Sequence, residues 1–235
     1  MPSQLAIAIE TSGRAGSVAV VLDGQVAEQR DFSRGLRHAV EMIPTLDSML
    51  EKMRRRPAEI EEVYVSAGPG SFTGLRVAIT FAKTLAMTTG CRIVAVPTVD
   101  ALARNAAEIA EVRHLAVVLD AKRNQVYCGG FDRAESGELV KVLEACLLDP
   151  PELLARMARP LHVLGEGLAY HGEAFTAEDV HRLPQEHWPG RAANVAAVGI
   201  ALAAEGRFAE PDALTPIYIR RPEAEELWEK RHGTA

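Results

Sequence analysis

The sequence predicts an α/β protein built from two similar lobes, and three observations predict it. Short apolar runs rich in Ile and Val alternate with segments of helical period. The chain opens with three strands in a row, the second and third joined by the hairpin dipeptide Asp23-Gly24. The opening then recurs: His114-Leu-Ala-Val-Val-Leu-Asp120 mirrors Leu5-Ala-Ile-Ala-Ile-Glu10, an apolar strand closed by an acid. A hairpin-first α/β unit is what a ribonuclease-H-like lobe looks like, so two such lobes are expected. Their ranges are 1–108 and 109–235, with the tail of the second placed to pack back on the first.

In chain order, Gln4 to Ile9, Ser17 to Leu22 and Val26 to Phe32 read as strands. From Leu36 to Met53 the apolar residues Ala39, Val40, Ile43, Leu46, Met49, Leu50 and Met53 recur at three- and four-residue steps, the mark of a helix. Pro44 inside it removes one hydrogen bond or kinks it. Val63 to Ala67 is a strand broken by Gly68-Pro69-Gly70. Ser71 or Thr73 caps a helix that runs to Thr89 and stops at Gly90. Arg92 to Val96 is a strand and Thr98 to Ala107 a helix. In the second copy Leu115 to Leu119, the segment at Val126, and Glu138 to Leu143 are strands. Pro151 to Ala158 is a helix, His162 to Leu164 a strand, and Ala192 to Ala204 a helix of the second lobe. The polar stretch from Leu168 to Arg191 reads as loop, the expected place for local mobility. Glu223 to Arg231 reads as a short charged helix.

The 235 residues are 48% hydrophobic and 25% charged, which excludes disorder as the main state. A net charge of −6 gives no global pull toward nucleic acid. Three cysteines, Cys91, Cys128 and Cys146, form no C-x-x-C pair and no disulfide framework, so a reducing, cytoplasmic setting is expected. The first residues lack a basic n-region, and no apolar run is long enough to span a membrane.

Ser66-Ala-Gly-Pro-Gly-Ser-Phe-Thr-Gly-Leu-Arg76 is a glycine-rich turn between a strand and a helix. It has two readings: a tight turn with an N-cap, or a set of backbone N–H groups that favours an anion. It is no Walker A loop, since no Gly-Lys-Ser/Thr follows. With Glu10-Thr11-Ser12 at the end of the first strand, it defines a candidate nucleotide or anion turn comprising Glu10, Thr11, Ser12, Gly68, Gly70 and Ser71. In the following helix Gly74, Ala78, Ala82 and Ala86 form a four-residue ridge of small side chains that admits close helix packing. Its partner is either this lobe's own core or another chain. No two of the seven histidines are three or four residues apart, so no metal site is expected on a helix.

At Ala67-Gly-Pro-Gly-Ser-Phe-Thr-Gly-Leu-Arg76, followed by Ala82-Lys-Thr-Leu-Ala86, the chain resembles the bacterial TsaB (YeaZ) family. Ala6 to Ser12, Val94 to Leu102, Leu119 to Tyr127 and Thr215 to Arg220 extend the resemblance along nearly the whole chain. It implies two lobes of the actin, Hsp70 and sugar-kinase superfamily, and a part in making threonylcarbamoyladenosine beside the tRNA anticodon. It implies a non-catalytic scaffold for a TsaD-like catalytic subunit. The two metal histidines of TsaD fall here at Thr98 and Leu102, neither of which is a metal ligand. Further implied partners are a TsaE-like ATPase, a second copy of the chain when alone, and tRNA through the complex. No cofactor is implied in isolation, but ATP or ADP is at a heteromer junction. The contact implied is through the two helices of the first lobe: Leu36, His38, Val40, Ile43, Leu46 and Leu50 on one, Gly74, Leu75, Ala78, Ala82, Leu85 and Ala86 on the other. Glu10 stands where many relatives have Asp. The alternative reading is a free-standing actin-like ATPase or small-molecule kinase. It requires a second phosphate turn, and Asp120-Ala-Lys-Arg-Asn124 contains no glycine.

Overall fold

Strand β1 (Leu5–Glu10) is buried on both faces, and its side chains show why. Leu5, Ile7 and Ile9 point into one apolar cluster, while Ala6 and Ala8 point into another. The larger residues meet helices α1 (His38–Lys52) and α2 (Phe72–Thr89); the alanines let α6 (Ala192–Ala204) lie close on the opposite face. A strand covered on both sides reads as a continuous apolar run rather than an alternating one.

The computed structural model describes residues 4–33 and 38–217. Around β1 the first sheet has the order β3-β2-β1-β4-β5, with β2 (Ser17–Leu22), β3 (Gln25–Asp31), β4 (Ile60–Gly68) and β5 (Arg92–Pro97). β1, β2 and β3 are antiparallel; β1, β4 and β5 are parallel. The second sheet repeats the order as β8-β7-β6-β9-β10, with β6 (His114–Asp120), β7 (Val126–Arg133), β8 (Leu139–Leu148), β9 (Leu161–Leu164) and β10 (Val180–Arg182). Its pairings repeat too: antiparallel β6-β7-β8, parallel β6-β9-β10. The duplication read at the strand starts therefore extends to the whole topology of both sheets.

Several expectations are corrected. The sequence order places helix α6 in the second lobe, yet Ala192, Val195 and Ala196 pack on Ala6, Ala8, Tyr64 and Val94 of the first sheet. A Cβ on Gly199 would stand 2.5 Å from the Tyr64 ring, so this helix needs glycine there to lie flat. Conversely, Val99 and Leu102 of α3 (Thr98–Ala103) pack on Leu115 and Val117 of the second sheet. The two helices touch and fill the space between the sheets. α3 is shorter than expected and continues as a 3-10 turn over Arg104–Ala106. Arg133 closes that end by donating to the carbonyls of Ala106, Ala107, Ile109 and Val112. The stretch from Leu168 to Arg191 is not all loop. It holds the one-turn helix α5 (Leu168–His171) and the strand β10, which completes the second sheet.

Helix α4 (Pro150–Arg156) covers the outer face of the second sheet through Leu153. After α6 the chain returns to the first lobe: Ala209 N donates to Ile93 O at 2.8 Å and Ile217 N to Ala67 O at 2.6 Å. The charged stretch Glu223 to Arg231 and the end of the motif at Tyr218 to Arg220 lie outside the described residues. Among the described residues no helix is long and apolar enough to cross a membrane.

Candidate functional site

Two places in the first lobe gather the residues singled out by sequence: a cleft at the ends of the central strands, and the outer face of α1 and α2.

In the cleft the two glycine-bearing turns are fused. Ser71 N donates to Ser12 O at 2.7 Å, and the Thr11 hydroxyl donates to Gly74 O at 2.8 Å. A Cβ on Gly70 would lie 2.6 Å from Ser12 O, so only glycine lets the turns touch. Ser71 caps α2, its hydroxyl accepting from Gly74 N at 3.3 Å. Gly68 has a φ of 115°, which an L side chain rarely adopts, and it makes the sharp exit from β4. Glu10, Thr11, Ser12, Gly68, Gly70 and Ser71 are thus one assembly.

Glu10 is fully buried. Its Oε1 accepts from Ser12 N at 2.6 Å and from the Ser12 hydroxyl at 2.5 Å. Its other oxygen has no hydrogen-bond partner among the described residues. A Cβ on Gly190 would stand 2.7 Å from the carboxyl carbon, so the chain before α6 closes over it. Burial pushes the Glu10 carboxyl above the ordinary carboxylate range; the Ser12 bonds pull against this, and the Glu166 charge adds to the rise.

Across the cleft stands the second lobe. Asp120, at the matching strand end, accepts from Lys122 Nζ at 2.6 Å and lies 3.1 Å from His171 Nε2. The Lys122 interactions draw its carboxyl below the ordinary range, although partial burial opposes them. Lys122, Arg123 and Asn124 take left-handed φ values of 61°, 51° and 60° in succession, so this turn closes without glycine by straining three side-chain-bearing residues. The sequence reading missed Glu166. It lies in Gly165-Glu166-Gly167 after β9, a glycine pair at the place matching Gly68-Pro69-Gly70, and that repeat was the available signal. Both Glu166 oxygens accept from Arg14 N, at 3.2 and 3.1 Å.

These contacts decide whether a nucleotide phosphate fits the cleft. Three amide N–H groups of these turns, those of Ser12, Arg14 and Ser71, already donate to protein oxygens. A phosphate would also meet the buried Glu10 carboxyl, and Glu166 beside it. In this arrangement the two carboxylates and the three occupied amides oppose a triphosphate. Among the described residues no three His, Cys, Asp or Glu side chains are grouped to hold a metal ion. Thr98 and Leu102 are buried in the packing of α3.

On the helix face the structure sorts the expected interface residues into two sets. Leu46 and Leu50 of α1, and Gly74, Leu75, Ala78, Ala82, Leu85 and Ala86 of α2, are buried within the lobe. Ala78 and Ala82 sit in the same apolar cluster as Leu5, Ile7, Val63 and Val65. The small-residue ridge is therefore an internal packing face, and as the outward-facing part of a contact it is corrected. Of the expected residues Val40 and Ile43 on α1 face outward, 67% and 55% exposed; on α2 the outward apolar residues are Phe72 and Met87, 43% and 79% exposed, neither of them singled out as a contact by the sequence. Between the helices runs a groove of about 530 Å³, lined by Ala39, Met42 and Ile43 and by Phe72, Val77, Thr80 and Phe81, with Arg76 over the Phe72 ring. His38 opens α1; Leu36 lies outside the described residues.

Two five-stranded mixed sheets of identical order, facing each other across a cleft of strand-end turns, define a two-lobed α/β protein with one topology repeated in each lobe. Within it, the family model described as "TsaD: tRNA N6-adenosine threonylcarbamoyltransferase" matches residues 33–227. The tRNA threonylcarbamoyladenosine biosynthesis protein TsaB of Bacillus subtilis is 31% identical over 94% of this chain and 96% of its own. The Escherichia coli protein of the same name is 24% identical over 97% and 98%. Among solved structures, YeaZ from Pseudomonas aeruginosa superposes with a TM-score of 0.78 at 24% identity, over 92% of this chain and 99% of that one. The chain belongs to the TsaB/YeaZ family.

Proposed function

We propose that this chain is a non-catalytic subunit in tRNA threonylcarbamoyladenosine biosynthesis, and that it holds a TsaD-like catalytic subunit in its working arrangement through the α1/α2 face. The names of its relatives and of the matching family model support the pathway. One observation carries the scaffold role: the apolar groove between α1 and α2, with Ile43 and Phe72 at its walls and Val40 and Met87 extending the exposed surface. An apolar helical face of this kind marks a protein contact. The same face serves a second copy of the chain when the partner is absent. A TsaE-like ATPase and tRNA join through the complex, and three free cysteines suit a cytoplasmic setting. The fused turns, whose Ser12, Arg14 and Ser71 amides already donate to protein oxygens, argue against the ATPase or kinase alternative.

The test is reconstitution. Modification should require this chain in a mixture of TsaD-like and TsaE-like proteins, substrate tRNA and threonylcarbamoyl-adenylate. Ile43→Asp should leave the fold intact and weaken association with the TsaD-like subunit about thirtyfold or more, the equivalent of about 2 kcal/mol for a desolvated, unpaired carboxylate. Full modification without this chain, or unchanged binding by the variant, would reject the scaffold role.

A further inference from the structure

Both lobes end their fourth strand in the same way. β4 runs into Gly68-Pro69-Gly70 and β9 into Gly165-Glu166-Gly167, and the first glycines have φ values of 115° and 120°. The last glycine of each backs onto the turn closing its own lobe's first strand: Gly70 onto Ser12, Gly167 onto Leu119 and Asp120. The middle residues break the symmetry. Pro69 carries no charge. Glu166 carries a carboxylate, and both its oxygens reach across to Arg14 N in the opposite lobe. A Cβ on Gly13 would come within 3.2 to 3.3 Å of that carboxylate, so a glycine there lets it seat closely. Arg14 strengthens the crossing, its guanidinium donating to the Tyr170 hydroxyl of the second lobe and lying over the Tyr170 ring.

We propose that Glu166 is an inter-lobe latch: its carboxylate occupies the anion position of the first lobe's strand-end turn and holds the two lobes at one angle. Amides at a tight glycine turn attract negative charge. A carboxylate fixed in the same chain reaches them at high effective concentration, so a free anion in solution competes poorly. The lobes would then form one rigid platform behind the α1/α2 face.

The experiment is residue-resolved hydrogen–deuterium exchange on the full chain. In Glu166→Ala the Arg14 amide should exchange about tenfold faster or more, as expected when one closing hydrogen bond is lost. Amides of the central strands, such as Ile7 and Val117, should keep their protection, and spin labels on the two lobes should report a broader distance distribution. Glu166→Gln should keep part of the protection, because its amide oxygen still accepts. Tripolyphosphate titrated into the wild-type protein should leave the Arg14 amide unchanged. An Arg14 amide insensitive to Glu166→Ala in a folded protein would overturn the latch. So would wild-type binding of tripolyphosphate that protects Arg14. If Glu166→Ala does not fold, Glu166→Gln and the wild-type titration still decide.

Discussion

A Cβ on Gly74 would stand 1.9 Å from the carbonyl oxygen of Thr11, and the Thr11 hydroxyl donates to the Gly74 carbonyl at 2.8 Å. The first turn of α2 is thereby clamped to the turn that ends β1. The clash in Gly74→Ala is with backbone, which cannot rotate away as a side-chain tip could. The substitution should cost about 3 kcal/mol or more, a large part of a typical domain's stability. A urea unfolding curve should show a much lower midpoint or no soluble protein. Thr11→Val, which removes one buried hydrogen bond, should cost about 1 kcal/mol.

Ala82 makes the companion case. It is wholly buried beside Ala78 in the first lobe's core. Ala82→Glu should therefore act on folding rather than on association, lowering the melting temperature sharply or abolishing soluble expression. Thr84, two residues on, faces outward at the groove. Thr84→Glu should melt close to wild type and lose affinity for the proposed TsaD-like partner. If Ala82→Glu melts normally while failing to associate, the inward orientation of the ridge is wrong.

The contrast shows what a sequence can and cannot say here. The strands β1 and β6 were legible because burial on both faces forces an unbroken apolar run ended by an acid. Helix α2 was legible as an element, but not which of its faces looks outward. Apolar residues cover both sides, Leu75 and Ile79 inside, Phe72 and Met87 outside. Periodicity gives spacing and leaves the direction to tertiary contacts. Helix α6 is legible as an element but its sheet is not, since an alanine-rich helix carries no mark of which surface it covers. β10 was lost because Val180-His-Arg182 is too short to show alternation, and its pairing with β9 is decided far away in the chain.

The buried Glu10 predicts a pH dependence with a definite sign. Its folded-state pKa is raised above the ordinary value of 4.5, chiefly by burial. The folded state therefore holds this proton more tightly than the unfolded state, and stability falls as pH rises from about 4.5 through the raised value. Below 4.5 the penalty is absent; above the folded pKa it is complete. Glu10→Gln keeps an oxygen for the Ser12 donors and removes the charge. The difference in melting temperature between variant and wild type should grow in the variant's favour across that window and then level off. A constant difference at all pH values would mean that Glu10 does not titrate there.

The second lobe offers a prediction in thiol chemistry. Cys128 on β7 and Cys146 on β8 are directly opposed, with their sulfurs 4.0 Å apart. Opposed residues of an antiparallel pair have Cα atoms about 4.5–5.5 Å apart, within the range a disulfide spans. A two-electron oxidant such as diamide should therefore take two hydrogens from this pair, which forms the disulfide while the diamide is reduced to its hydrazine. Burial, and the neighbouring Cys146, push the Cys128 thiol well up, so it is a poor first nucleophile. Cys146 is only partly buried and should react first with both oxidant and iodoacetamide. Burial also pushes up the Cys91 thiol in the first lobe, which should survive as the one thiol left. Thiol titration under denaturing conditions should fall from three groups to one, with peptide mapping joining residues 128 and 146, and Cys146→Ser should abolish the loss of the pair. Because the bond would tie β8, an edge strand of the second sheet, to its neighbour, the oxidised protein should melt higher than the reduced one. Retention of all three thiols would show that the two sulfurs do not meet in solution.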